Sequence, residues 1–152
     1  MNEAKGLKEL TKALKQFPKN IQKNVMLGAV RAGTKPIIKR AKELVPVEEG
    51  DLKKSIRAKK RRVPKSTPYV IKFSVHAGGN MKKAGEKLRP FYGSFIEFGY
   101  MKPTKEGFKH MTARPFMRPA MEQEASNSIV FVRDYIQKRI PKEIEKAKKR
   151  KR

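Results

Sequence analysis

Two long stretches of apolar residues at helical spacing, separated by one segment that alternates, limit this chain to a mixed fold. Between Asn20 and Pro46 the residues Ile21, Val25, Ala29, Ala32, Ile37, Ala41 and Leu44 recur on one broad helical face. Beyond residue 120, Met121, Ala125, Ile129, Val132, Ile136 and Ile140 fall at spacings of three and four, which predicts a second long helix. Between the two, Tyr69, Ile71, Phe73, Val75 and Ala77 alternate with Val70, Lys72, Ser74 and His76, the pattern of a half-buried strand. Residues 55–63 alternate weakly and then become densely basic, which predicts an exposed strand. Leu7, Leu10, Leu14 and Phe17 predict a short amphipathic helix stopped by Pro18, and Asn20 is the expected N-cap of the helix that follows. Pro36 should kink that helix or mark a turn in it, and Pro141 should interrupt the last one. Residues 91–100 fit a strand or a short helix equally. The resulting class is α+β: a small, mainly antiparallel sheet with two long helices packed on one face, plus a short N-terminal helix.

Charge decides how much of the chain can be core. Of 152 residues, 39 are Lys or Arg and 14 are Asp or Glu, for a formal charge of +25. The apolar fraction is 38% and the mean hydropathy −0.74. A domain of roughly 150 residues can bury about 70% of its unfolded surface, so one modest core is expected over residues 1–145. The segments 78–90 and 101–112, rich in Gly, Pro and Lys, read as mobile loops, and the nearly all-basic stretch 146–152 as a disordered tail. A surface this positive calls for an anionic neighbour: nucleic acid, an anionic membrane or acidic protein.

Catalytic chemistry finds little to work with. The chain has no cysteine, which removes disulfides, thiolate metal sites and Cys nucleophiles together. His76 and His110 stand 34 positions apart, and neither lies beside a ligand set in the sequence. The carboxylate pairs Glu48/Glu49, Glu122/Glu124 and Glu143/Glu145 point in different directions on either kind of backbone. Phosphate-loop, zincin and nucleophile-elbow patterns are not found. The expectation is a protein that is not an enzyme, with no cofactor, no metal and no small-molecule substrate. Neither a signal peptide at the amino terminus nor a run of about 18 apolar residues is seen, so no membrane partner is expected and the chain is expected to be made and used in the cytosol.

Two basic segments could contact an anionic partner without any particular fold: Arg57, Lys59, Lys60, Arg61 and Arg62 on the exposed strand, and Lys148, Lys149, Arg150, Lys151 and Arg152 in the tail. The plainer alternative for the tail is a solubilising end. A non-sequence-specific nucleic-acid-binding accessory protein is therefore the second functional class to be weighed.

Three segments carry a more specific signal in combination. They are Val45-Pro46-Val47-Glu48-Glu49-Gly50-Asp51-Leu52-Lys53-Lys54-Ser55-Ile56, then Phe95-Ile96-Glu97-Phe98-Gly99, then Ala113-Arg114-Pro115-Phe116-Met117-Arg118-Pro119-Ala120. In this order and spacing, over about residues 20 to 140, the chain resembles the phage head–tail joining family, also described as tail-completion or minor tail proteins of long-tailed phages. It departs from the family pattern at Glu49, where Thr or Ser is usual, and at Tyr100, where Thr is frequent. The resemblance implies a structural virion protein of the neck, forming a ring of its own copies, with a hexamer one candidate, that surrounds the DNA exit path. Its implied partners are the portal and adaptor proteins on one side and the tail tube or tail terminator on the other, with non-specific DNA contact open. The motif residues expected to matter are Pro46, Gly50, Leu52, Glu97, Phe98, Gly99, Arg114, Pro115, Phe116 and Pro119. Gly50 and Gly99 should supply turn conformations, Phe116 should anchor the last helix in the core, and Glu97 should form an ion pair with Arg114.

Overall fold

The computed structural model describes residues 9, 12, 15, 17–48, 50–64, 70–78 and 92–149, excepting the side chains of Asn20 and of residues 147–149. The N-terminal helix expected over residues 3–17 and the 78–90 loop lie almost wholly outside the described residues, as do Arg150, Lys151 and Arg152. Among the described residues the elements run α1 (Lys19–Leu44), α2 (Asp51–Ser55), β1 (Arg57–Lys60), β2 (Phe73–His76), α3 (Gly93–Phe98), β3 (Tyr100–Thr104), β4 (Gly107–Met111) and α4 (Met117–Lys149). The class is α+β. The single sheet expected from the sequence is replaced by two two-stranded ribbons, β1–β2 and β3–β4. The alternating segment pairs over only four residues, Phe73–His76. Residues 91–100, open between strand and helix, contain α3.

The start of α1 and the course of α4 past Pro141 correct two readings. Pro18, not Asn20, starts α1, because its carbonyl accepts the amides of Ile21 at 2.9 Å and Gln22 at 3.0 Å. The Gln22 side chain reaches back to the Phe17 carbonyl at 2.5 Å. Pro36 sits inside α1, which runs on through it to Leu44, and the Thr34 hydroxyl donates to the Arg31 carbonyl at 2.8 Å. Pro141 does not end α4, which continues through Lys149. Pro141 and Gln137, whose carbonyl loses its partner, are both exposed, so water can take over that bond.

Close contacts divide the chain into two compact units. The first comprises residues 1–35, 60–73 and 126–152. Its core is Val25, Ala29 and Ile136, with Phe17, Ile21, Met26, Val132, Tyr135 and Ile140 packed around them. Here α1 lies close against α4: a Cβ on Gly28 would collide with the Tyr135 ring and hydroxyl, and one on Gly33 would stand 2.7 Å from the Val132 Cγ2.

The second unit comprises residues 36–59 and 74–125. Its core is Ala41, Val45, Leu52, Ile56, Phe116 and Ala120, edged by Ile38, Val75, Ala77, Tyr92, Ile96 and Met117. Ser55, 8% exposed, ties this unit together, its hydroxyl donating to the Leu52 carbonyl at 2.6 Å and accepting the Gly78 amide at 2.7 Å.

The buried seam of α4 is not the one its apolar residues suggest. Phe116, Ala120, Ile136 and the half-buried Val132 and Ile140 follow i, i+4 spacing through the polar but half-buried Glu124 and Ser128. Met121, Ala125 and Ile129 lie one residue round the helix from it and are exposed.

Candidate interaction site

The three motif segments meet in the second unit around one core. From the first segment come Val45, Leu52 and Ile56; from the third come Phe116 and Ala120; Ile96 of the second packs against them. Gly50 adopts φ 77° just before α2, the left-handed conformation that only glycine takes without cost. Gly99 ends α3 at φ 76°, and a Cβ there would stand 2.7 Å from the Met111 carbonyl and 3.1 Å from the Ala113 amide. The second and third segments are thus backbone against backbone, and the Arg114 amide donates to the Ile96 carbonyl at 2.7 Å.

Glu97 locks this junction. It is 9% exposed, and its Oε2 accepts the amides of Phe116 at 2.8 Å and Met117 at 2.9 Å while Oε1 accepts that of Arg118 at 3.0 Å. A helix start leaves four amides without intrahelical acceptors. Here Glu97 takes three of them, and the fourth position is Pro119, which has none. The first intrahelical bond then follows, from the Ala120 amide to the Phe116 carbonyl at 3.3 Å. Burial disfavours the charged carboxylate, but the three amides and the nearby Arg118 charge outweigh it and hold the Glu97 carboxyl below the usual carboxylate range. The expected Glu97–Arg114 ion pair is replaced by this cap: among the described residues the charged neighbour of Glu97 is Arg118, and Arg114 is exposed. Sequence spacing could pair charges but could not reveal that both carboxylate oxygens were committed to backbone.

Between Gly99 and the cap the chain projects the β3–β4 ribbon, where the sequence reading had a loop. Its register pairs Tyr100 with Met111, Met101 with His110, Lys102 with Lys109, Pro103 with Phe108 and Thr104 with Gly107. Counting from the closing pair, Pro103 occupies a non-hydrogen-bonded pair, where its missing amide costs the ladder nothing. Every ribbon residue except Met111 is exposed. Alternation puts Met101, Pro103, Phe108 and His110 on one face, with Met101 55% and Phe108 75% exposed.

The opposite face, with Tyr100 and Met111, borders an open groove of ≈ 720 Å³ that is also lined by Pro46, Gly50, Leu52, Tyr92, Phe95 and Ile96. Glu48, Lys109, His110 and Arg114 stand at the same groove. The Phe95 and Tyr100 rings lie 5.4 Å apart at 42°. Of the motif residues, Leu52, Glu97 and Phe116 are buried, Pro46, Gly50, Gly99 and Pro119 are half-buried, and Phe98, Arg114 and Pro115 are exposed. The aromatic groove and the ribbon face went unread in the sequence; the Lys105–Glu106–Gly107 turn was the one local cue.

Of the basic residues, Arg57 is half-exposed and Lys59, Lys60, Arg61 and Arg62 are exposed. Lys148 and Lys149 are helical backbone within α4, including part of the segment read as a disordered tail. His76 is half-buried on β2 and His110 exposed on β4. Among the described residues no group of three or more His, Asp or Glu could hold a metal ion, and no helix is long and apolar enough to cross a membrane.

Comparison with known families places part of the chain in a described family. A family model described as "Bacteriophage HK97-gp10, putative tail-component" matches residues 8–99, which takes in the first two motif segments and stops at Gly99. No curated protein and no solved structure matches.

Proposed function

Because the chain belongs to the HK97-gp10-like family of phage tail components, we propose that it is a ring-forming subunit of the virion neck, joining the portal and adaptor to the tail tube or tail terminator. Membership in itself makes the chain a structural tail component of the virion. The neck position and the ring go further, and the ribbon is what supports them. A two-stranded hairpin is marginal in water by itself, yet this one holds out Met101 and Phe108 on one face and sets two lysines directly opposite each other on the other. Such an element gains its stability from what it docks against. Closed rings require heterologous contacts between two different patches on each subunit. The outward face of the ribbon and the aromatic groove are two such patches in one unit, apolar and of different shape.

Light scattering on the purified chain tests the reading, with M101S/F108S alongside. A closed oligomer that persists in high salt and falls to monomer in the variant is the expected outcome. A wild-type chain that stays monomeric, and whose variant still joins tail particles as well as wild type, refutes it.

A further inference from the structure

The acidic residues of the chain are unevenly placed. From residue 52 to residue 85 there is no Asp or Glu, while the same stretch holds eleven Lys and Arg: Lys53, Lys54, Arg57, Lys59, Lys60, Arg61, Arg62, Lys65, Lys72, Lys82 and Lys83. Within the first unit the chain brings part of this charge together. The Arg61 amide donates to the Lys72 carbonyl at 2.9 Å, so the strand leaving β1 and the strand entering β2 run side by side there. Lys60, Arg61, Arg62 and Lys72 are all exposed. Four cations on two adjacent backbone segments, with the nearest acids in sequence at Asp51 and Glu86, make a concentrated positive edge.

We infer that Lys60, Arg61, Arg62 and Lys72 form a contact surface for the phosphate backbone of duplex DNA, bound without regard to sequence. The chemistry favours phosphate over an acidic protein surface. Protein interfaces are centred on buried aromatic or large apolar anchors, and residues 57–62 offer none. Phosphate binding by counterion release needs charge alone, and the planar guanidinium groups of Arg61 and Arg62 match phosphate oxygens in pairs. Base reading is not part of the inference, because counterion release requires charge and no contact with base edges. The inference stands apart from the neck assignment: a DNA-contacting edge belongs to the chain whether or not it closes a ring.

Fluorescence anisotropy with the full chain and a mixed-sequence duplex, over a salt series, tests it. Each phosphate contact contributes about 0.9 to the slope of log affinity against log salt. The variant K60Q/R61Q/R62Q/K72Q should therefore flatten the slope by about 3 to 4. A charge-matched control elsewhere in the unit, K23Q/R31Q/K138Q/K142Q, should leave it nearly unchanged, and R61K/R62K should retain most of it. Equal flattening by both quadruple variants overturns the inference in favour of diffuse charge. Edge-dependent binding of polyglutamate with no binding of duplex at low salt overturns it in favour of an acidic protein.

Discussion

Replacing Glu97 by alanine removes acceptors from three amides at once, and the surroundings set the size of the loss. The bond to the Phe116 amide is buried, and those to the Met117 and Arg118 amides are partly buried. An orphaned buried amide costs about 1–3 kcal/mol. Water can re-form part of the two partly buried bonds, while the favourable interaction of a carboxylate with a helix start, about 0.3–1 kcal/mol at exposed sites and up to about 2 when partly buried, is lost outright. E97A should therefore destabilise by about 2–4 kcal/mol. E97Q, which keeps one oxygen but turns an NH₂ toward a donor, should lose about half as much. The pH dependence provides a second readout. The folded carboxyl titrates below its unfolded value, so its contribution is fully present above the unfolded range near pH 4 and disappears as pH falls through the depressed folded value. Wild type should show this acid limb, and E97Q should show a flatter one. Urea unfolding at pH 7 and at stepwise lower pH, with the slope of each transition checked for constancy, measures both. An E97A chain within about 0.5 kcal/mol of wild type at pH 7 would refute the assignment of the cap.

Two further substitutions follow from close backbone approaches. G99A should lose about 1–3 kcal/mol, since the new methyl meets the Met111 carbonyl at 2.7 Å in a left-handed conformation; thermal melts of the variant check this. G28A should destabilise by a similar about 1–3 kcal/mol through overpacking against Tyr135, and Y135A should recover part of that loss in the double variant, an interaction read from a double-mutant cycle of urea midpoints.

Local pattern revealed the two long helices and, through the motif segments, the residues that build the second core. Phe116 was identifiable as an anchor because prolines bracket it in the sequence. Other features were hidden by residue type. Glu124 and Ser128 interrupt the i, i+4 seam of α4 with polar side chains, so Met121, Ala125 and Ile129 looked like its inner face and are in fact exposed. The β3–β4 ribbon was disguised by Pro103 and by Lys102 opposite Lys109, residues that count against a strand until the register shows where each falls. The Glu97 cap was beyond any sequence rule, because its partners are main-chain amides 19 to 21 residues away whose positions only folding defines.

That cap has a consequence for how the chain can change. Glu97 and Phe116 are in contact, and the Arg114 amide meets the Ile96 carbonyl, so the intervening segment leaves the core and returns to it at the same place. A segment pinned at its base is a cassette. Lengthening a flexible loop twofold adds only about 0.6 kcal/mol of closure entropy, so a longer, shorter or differently decorated ribbon could be spliced between Gly99 and Arg114 with little disturbance to Leu52, Ile56 and Phe116. Docking specificity could then be exchanged piece by piece while the scaffold beneath it is kept.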